Sequence, residues 1–569
     1  MTDDVRLGKK LWAFAVALGT VLAALWTRSN WGALSHLQLP DTDDMARLVQ
    51  VRDWLNGQAW GDLVQHRLGD GVSGSLHWSR LADLGIAAWT MILGEKAAVI
   101  LWPVTLYILF LAAAARLAIR LGGRDCGGPA IVIAAFAFPA ITMFVPGRID
   151  HHGLQIVLTI MLIDSIVRPP SLRAGVIAGL IAAVSFAIGL ETAPQIACAM
   201  AALGLLWIVD SASERPRLFA FGLTLGVATL LWRLVAHPSV WSPLWCDGFT
   251  PASFDATLIV AGVFVILGAL PVLAPRHRLV VGAAFGLIAI AFAYHTSSIC
   301  LAGPYGATDP LLRRLWMDRI QEARGLFAGR GPLIPIGFGA LPILGTLAAA
   351  WLAWRTRAQR WLILLGFTTI ALLVTLFQVR GAAMAAALAV APLAAIVATA
   401  RRERPALAIP AWPASLGLVW SIIGTALQLT EAHPPTGTGC ADWRTIEQLR
   451  ALPSGTFVAP IDAGAYILAL TPHRVLAAPY HRNNAGNRAS YDFWLTPPAQ
   501  ARATATRWKL GYVLYCADSF GGIDLDREGP GGIADRLGKG QRPDWLQPLP
   551  LKGSRAQLYR ILPPPRSAP

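Results

Sequence analysis

The sequence predicts an all-α polytopic membrane protein of about thirteen transmembrane helices, carrying a small C-terminal α/β domain. Three observations predict it. Hydrophobic residues make up 55% of the 569 and charged residues only 14%, where a soluble chain would carry about a quarter charged. Apolar segments of roughly 17 to 22 residues, long enough to cross a bilayer core, recur as far as Leu429. Beyond that point hydropathy falls, and residues 431–569 are rich in Pro, Gly and charge, as expected of a soluble unit.

The spans are placed near 11–27, 97–116, 128–145, 153–167, 174–190, 193–209, 218–236, 256–274, 279–297, 333–353, 361–377, 382–400 and 408–430. Lys9 and Lys10 ahead of the apolar run from Leu11 to Trp26 mimic a secretory signal. No small-residue cleavage site follows, so the run is read as an uncleaved first span. Leu84 to Leu93 is too short to cross and is expected at the membrane interface. Residues 1–430 then form a membrane domain with two long outer loops, 28–96 and 298–332.

Charge sets the orientation. Arg6, Lys9 and Lys10 precede the first span; Arg116, Arg120 and Arg124 follow the second, Arg168 and Arg173 the fourth, Arg215 and Arg217 the sixth. Arg276 and Arg278 follow the eighth, Arg355, Arg357 and Arg360 the tenth, Arg401, Arg402 and Arg404 the twelfth. The connector from His237 to Asp255 has neither Lys nor Arg. The positive-inside rule therefore puts the N-terminus and every even exit in the cytoplasm. The C-terminal domain falls on the opposite side, periplasmic for a bacterial inner membrane. The net charge of +15 resides in these short loops and forms no basic face, so nucleic acid is not an expected partner.

On that same outer side lie Asp41-Thr42-Asp43-Asp44 after span one and Arg148-Ile149-Asp150-His151-His152 after span three. Glu322 follows span nine and Arg380 span eleven. Ionisable groups at the mouths of spans are costly and mark functional sites. Asp43 or Asp44, Asp150, His152 and Glu322 offer hard oxygen and borderline nitrogen ligands, a set that suits Mn²⁺ or Mg²⁺. Such an ion would neutralise a phosphate leaving group, and Arg380 would add a fixed positive charge to it. Each residue also admits a plainer reading. The aspartates suit a helix N-cap, Asp150 and His152 a solvated interface, Glu322 an ion pair with Arg319, and Arg380 a contact to lipid headgroups. Their joint placement on one face favours a site.

The arrangement resembles the single-chain catalytic subunit of oligosaccharyltransferases, in the GT-C class of membrane glycosyltransferases. Asp43-Asp44-Met45-Ala46, leading to Val51-Arg52-Asp53, is similar to that family's first-loop motif. Asp150-His151-His152 matches the D-H-H form of its second-loop D-x-D/E/H motif, and Ile320-Gln321-Glu322 resembles the end of its fifth-loop T-I-x-E motif, with Arg319 in place of Thr. The resemblance implies a lipid-linked sugar donor and a divalent cation held by Asp43, Asp150 and His152. Asp43 and Glu322 would be catalytic, and Arg380 would hold the donor phosphate. The family's W-W-D-Y-G motif is missing; its nearest counterpart, Ala459 to Tyr466, keeps only Asp462 and Gly464. Asp44, Asp462, Gly464, His481 and Arg482 are the expected contacts of an acceptor, whether protein, lipid or polysaccharide. From its residues alone, the 459–482 segment also reads as a strand, a turn and a strand.

Weaker features complete the reading. His66, Arg67, His77, Trp78, Ser79 and Arg80 enrich the first outer loop with polar and aromatic groups that suit a sugar or phosphate, or an interfacial anchor. Cys440 and Cys516, and Cys246 and Cys300, fall on the outer side, where disulfides form; the first pairing would staple a small domain. No P-loop, dinucleotide fingerprint or Cys-x-x-Cys motif occurs, in keeping with a donor carried on a lipid. The sequence leaves open a polyprenyl monophosphate or pyrophosphate donor. It also leaves open a transporter of lipid or polysaccharide, although no internal repeat or midplane charge supports one.

Overall fold

A computed structural model describes residues 7–72, 74–76, 78–239, 241–242, 246–296, 305–306, 308–328, 331–428 and 440–563. His77 and Cys300 lie outside the described residues. All thirteen segments expected to span are helical, but they differ in reach. Among the described residues nine helices are long and apolar enough to cross a membrane. The pair Pro405–Ala414 and Gly417–Gln428, bent by 60°, makes a tenth if it counts as one span.

The other three fall short for visible reasons. The segment expected at 128–145 ends as a helix at Ala135 and resumes as a tight 3₁₀ turn over Ala140–Phe144. Pro139 between them lacks the amide that a continuous helix needs. His152–Ile166 and Leu172–Ile188 are apolar helices of 15 and 17 residues. The first begins and the second ends beside a cavity lined by His152, Leu190 and Glu191, so polar groups take the place of further helical turns.

At the centre of the bundle stands Ala382–Glu403, in which nearly every apolar residue is buried. Its alanines let neighbouring backbones close in, as small residues do in membrane interfaces. Opposite it, a Cβ on Gly345 would come within 2.2 Å of Ala389 Cβ, so only glycine fits there. The expected interfacial segment forms the helix Arg80–Leu93. It buries Ala82, Ile86 and Ala87 and leaves Leu84, Met91, Ile92 and Leu93 exposed.

Outside the bundle a mixed sheet is built from β1 (Thr456–Val458), β2 (Arg474–Val475), β3 (Tyr512–Tyr515), β4 (Leu546–Leu549) and β5 (Gln557–Ile561), in the order β2-β1-β3-β5-β4. β2, β1 and β3 run parallel; β5 is antiparallel to both β3 and β4. Between β1 and β2 the chain makes the helix Ile461–Leu470, not the turn that its short apolar run suggested. Parallel strands cannot be joined by a tight turn, so a crossover is required. Cys440 and Cys516 are disulfide-bonded across 76 residues of chain.

The boundary near residue 430 does not separate two cores. Leu34, Met45, Val49, Trp78 and Ile86 of the first outer loop share one apolar cluster with Phe457, Ile467 and Leu514 of the C-terminal unit. Leu312, Leu315 and Trp316 of the later loop join a second with Phe493, Trp494 and Val513. Backbone bonds add to this: Gly69 N donates to Val475 O at 2.8 Å, and Val475 N donates to Arg67 O at 2.9 Å. The outer loops and the C-terminal unit therefore fold as one cap over the bundle.

Candidate active site

Two loops distant in sequence are tied together under this cap. Asp41 caps the helix Thr42–Leu55, its carboxylate accepting from Asp43 N, as the plainer reading expected. Asp44, one turn in, is wholly buried; its Oδ1 accepts from Ile149 N at 2.8 Å and Asp150 N at 2.9 Å. Arg148 crosses the same gap, 2.6 Å from Asp41 and 3.1 Å from Asp44. Farther along the helix the buried Arg47 donates to Asp83 at 2.7 Å and to Asp150 at 3.3 Å. The capping turn is thereby fixed against the Asp-His-His triplet.

Within the triplet, ligand atoms of Asp150, His151 and His152 all lie within 4.8 Å of one another. The two histidines have separate duties. His151 is buried between carboxylates, its Nδ1 2.6 Å from Asp150 and its Nε2 3.2 Å from Glu191. His152, about one third exposed, lines the cavity. Its Nε2 stands 3.2 Å from Asp150 Oδ2, yet that buried oxygen has no hydrogen-bond partner. Two potential ligand atoms set side by side without a hydrogen bond between them fit a shared cation.

A cavity of about 310 Å³ opens beside the triplet. Asp43, His152, Glu322 and Arg380, from four well-separated segments, all line it, together with Arg148 and Glu191. Pro139, Met143, Ile156, Phe338, Val374 and Met384 form its apolar side. Among the described residues Glu322 makes no ion pair with Arg319; it sits on the tight turn Gln321–Ala323 and faces the cavity. Arg380, on the turn Val379–Gly381, donates to Gln378 Oε1 at 2.8 Å and to Tyr305 Oη at 3.3 Å.

Electrostatics mark the acidic side. Burial pushes the Asp43 carboxyl well above the ordinary range, and Asp150, Asp41 and Glu322 push it the same way. Burial likewise lifts Asp44 to about 7 against the pull of Arg148. Asp150 shows the reverse: burial opposes ionisation, but His151, His152 and Arg47 hold it well below the usual value. Against the pull of burial, Asp150 and Glu191 keep His151 protonated, up to about 10. Carboxylates crowded around Asp43 repel one another, which a bound cation relieves.

The expected acceptor residues are dispersed. Asp44 is occupied by two backbone amides and Arg148 and is not available to a ligand. Gly464 is a packing position, since a Cβ there would overlap Ala477 O. His481 and Arg482 lie in a buried ion cluster with Asp247, at 2.5 Å each, and do not line the cavity. Asp462 opens the helix Ile461–Leu470 and is exposed, near enough to Asp41 to feel its charge. Glu191 was not singled out from the sequence, although it is the acidic residue in the short outer connection between the fifth and sixth spans. That position was its signal.

No family model matches the chain, and no curated protein matches it. Solved structures do. The oligosaccharyltransferase AglB of Archaeoglobus fulgidus, in complex with an inhibitory peptide and a dolichol-phosphate, superposes with a TM-score of 0.64. The two are 13% identical, over 94% of this chain and 72% of that one. The same enzyme in complex with Zn and sulfate gives 0.61 at 14% identity, over 92% and 70%. ArnT from Cupriavidus metallidurans bound to undecaprenyl phosphate gives 0.42 at 12% identity, over 96% and 97%. The chain thus shares the fold of the archaeal oligosaccharyltransferase.

Proposed function

We propose that the protein is a membrane glycosyltransferase that moves a sugar or glycan from a polyprenyl-(pyro)phosphate carrier to an acceptor on the periplasmic side, with inversion at the anomeric carbon. One observation carries this reading: Asp43, His152, Glu322 and Arg380 line a single cavity that also has an apolar side of Pro139, Met143, Ile156, Phe338, Val374 and Met384. Support comes from the fold, shared with an enzyme whose complex holds a dolichol-phosphate.

In this mechanism the apolar side receives the isoprenoid tail. Arg380 and Arg148 meet the phosphate oxygens, where paired guanidinium donors outperform a point charge. Asp43, Asp150 and His152 would hold a divalent cation, Mn²⁺ or Mg²⁺, which when bound neutralises charge developing on the leaving phosphate. Asp43 would also accept the acceptor's proton, with Glu322, which lines the same cavity, orienting the nucleophile. Attack on the side opposite the leaving group then inverts the centre.

The test is transfer in reconstituted vesicles supplied with polyprenyl-linked donors and an envelope extract as the acceptor source. The wild type should turn over only with a divalent cation, and the double variant Asp150→Ala, His152→Ala should be inactive. Full turnover in EDTA, or by the double variant, would overturn the reading.

A further inference from the structure

The cavity wall is divided by chemistry. Arg148 and Arg380 supply its cationic part, and the apolar side from Pro139 to Met384 supplies a second. A third part is polar, and no step of the mechanism uses it: Gln155, Glu191, Thr192 and Gln195. Gln155 comes from the helix His152–Ile166, Glu191 and Thr192 from the tight turn Leu190–Thr192, and Gln195 from the helix Ala193–Val209, so three elements converge on it.

This polar part is built, not incidental. Gln155, Thr192 and Gln195 are each at most 3% exposed. Gln155 Nε2 donates to Glu191 Oε2 at 3.1 Å, and His151 holds the other oxygen of that carboxylate at 3.2 Å. Glu191 itself remains about one quarter exposed toward the cavity. Thr192 and Gln195 line the same cavity, and the Thr192 hydroxyl and Gln195 Oε1 are buried with no hydrogen-bond partner. Unpartnered polar atoms inside a membrane bundle are destabilising unless something meets them.

The chemistry of the set selects the ligand. A fixed carboxylate repels a phosphate, so this wall is unsuited to the anionic head. Carboxylate, amide and hydroxyl groups together are complementary to neutral vicinal hydroxyls, each of which both donates and accepts. Glu191 also lies close enough for Arg380 and His152 to feel its charge.

We propose that Glu191, Thr192, Gln195 and Gln155 form the subsite that reads the hydroxyl groups of the transferred sugar. The proposal rests on the glycosyltransferase reading above and names the part of the donor that this wall recognises. Thr192 and Gln195 contribute specificity without touching the cation or the phosphate.

The test is binding to the full-length protein in nanodiscs, followed by tryptophan fluorescence. The probes are undecaprenyl phosphate and the same carrier bearing glucose, galactose or mannose. The wild type should bind at least one sugar-bearing carrier more tightly than the bare one. Thr192→Val and Gln195→Leu should each weaken that carrier by about fivefold or more, the loss of one to two hydrogen bonds, and leave bare undecaprenyl phosphate within twofold. Gln195→Asn serves as a second variant should the leucine variant fail to fold. Variants that bind the sugar-bearing carriers as the wild type does, or that lose both kinds of carrier equally, overturn the subsite. So does a wild type that binds bare and sugar-bearing carriers alike. A wild type that binds neither kind overturns the glycosyltransferase reading with it.

Discussion

Asp44 Oδ1 lies 2.9 Å from the backbone nitrogen of Asp150 and accepts its hydrogen bond, so a residue of the first outer loop fixes the backbone of the second. A second amide, Ile149 N, donates to the same oxygen, and Arg148 neutralises the carboxylate. Removing Asp44 leaves two buried amides without their acceptor and Arg148 paired with Asp41 alone. Asp44→Ala should therefore cost about 3 to 5 kcal/mol, the range for breaking one side of a buried ion pair. Asp44→Asn, which keeps the acceptor oxygen and loses the charge, should cost less. Thermal unfolding in detergent checks the order, and an alanine variant as stable as the wild type would refute the clasp.

His151 should control cation affinity without contacting the cation. It is held between Asp150 at 2.6 Å and Glu191 at 3.2 Å and orients the Asp150 carboxylate. Groups that orient a ligand in this way typically change metal affinity about 10- to 100-fold when lost. His151→Asn should weaken Mn²⁺ binding, measured by electron paramagnetic resonance, by that factor. His152→Gln, which removes a proposed ligand, should weaken it more. Equal effects of the two substitutions would contradict the separate duties assigned to the two imidazoles.

Arg380 is the proposed anchor of the donor phosphate. Arg380→Ala should lower kcat by about 10² or more, as loss of a charge-stabilising donor does. Arg380→Lys should recover part of this, since it restores charge but not the planar fork. Tyr305→Phe removes only the 3.3 Å contact to the Arg380 guanidinium and should act mainly on KM. Steady-state transfer kinetics separate the three.

Much of this site was legible because charge is conspicuous in an apolar chain. The Asp43 and Asp150 clusters, Glu322 and Arg380 stood out against their spans, and loop parity put them on one face. What could not be read was which groups the fold would turn inward. Asp44 and Asp43 are neighbours of identical chemistry. Only the helical rotation of 100° per residue sends one to the Ile149 and Asp150 amides and the other to the cavity. His481 and Arg482 looked like ligand contacts because their buried partner, Asp247, is more than two hundred residues away. The helix Ile461–Leu470 was missed because a ten-residue apolar run carries too little periodicity to distinguish a helix from a strand pair.

The disulfide between Cys440 and Cys516 should stabilise the site, not only the C-terminal unit. Closing 76 residues of chain restricts the unfolded state and typically stabilises by about 2 to 4 kcal/mol. Both cysteines pack in the apolar cluster that also holds Leu39, Met45 and Tyr480. Tyr480 Oη in turn donates to Thr42 O at 2.7 Å, beside Asp43, and Tyr466 Oη donates to Leu39 O at 3.3 Å. Loosening the cap must therefore loosen the capping turn that carries Asp43. The double variant Cys440→Ser, Cys516→Ser should unfold at a lower temperature and should lose Mn²⁺ affinity over the same range in which its cap melts. Were cation binding to persist above the melting of the cap, the turn would be held by Asp44 and Arg148 alone, and the coupling through Tyr480 would be refuted.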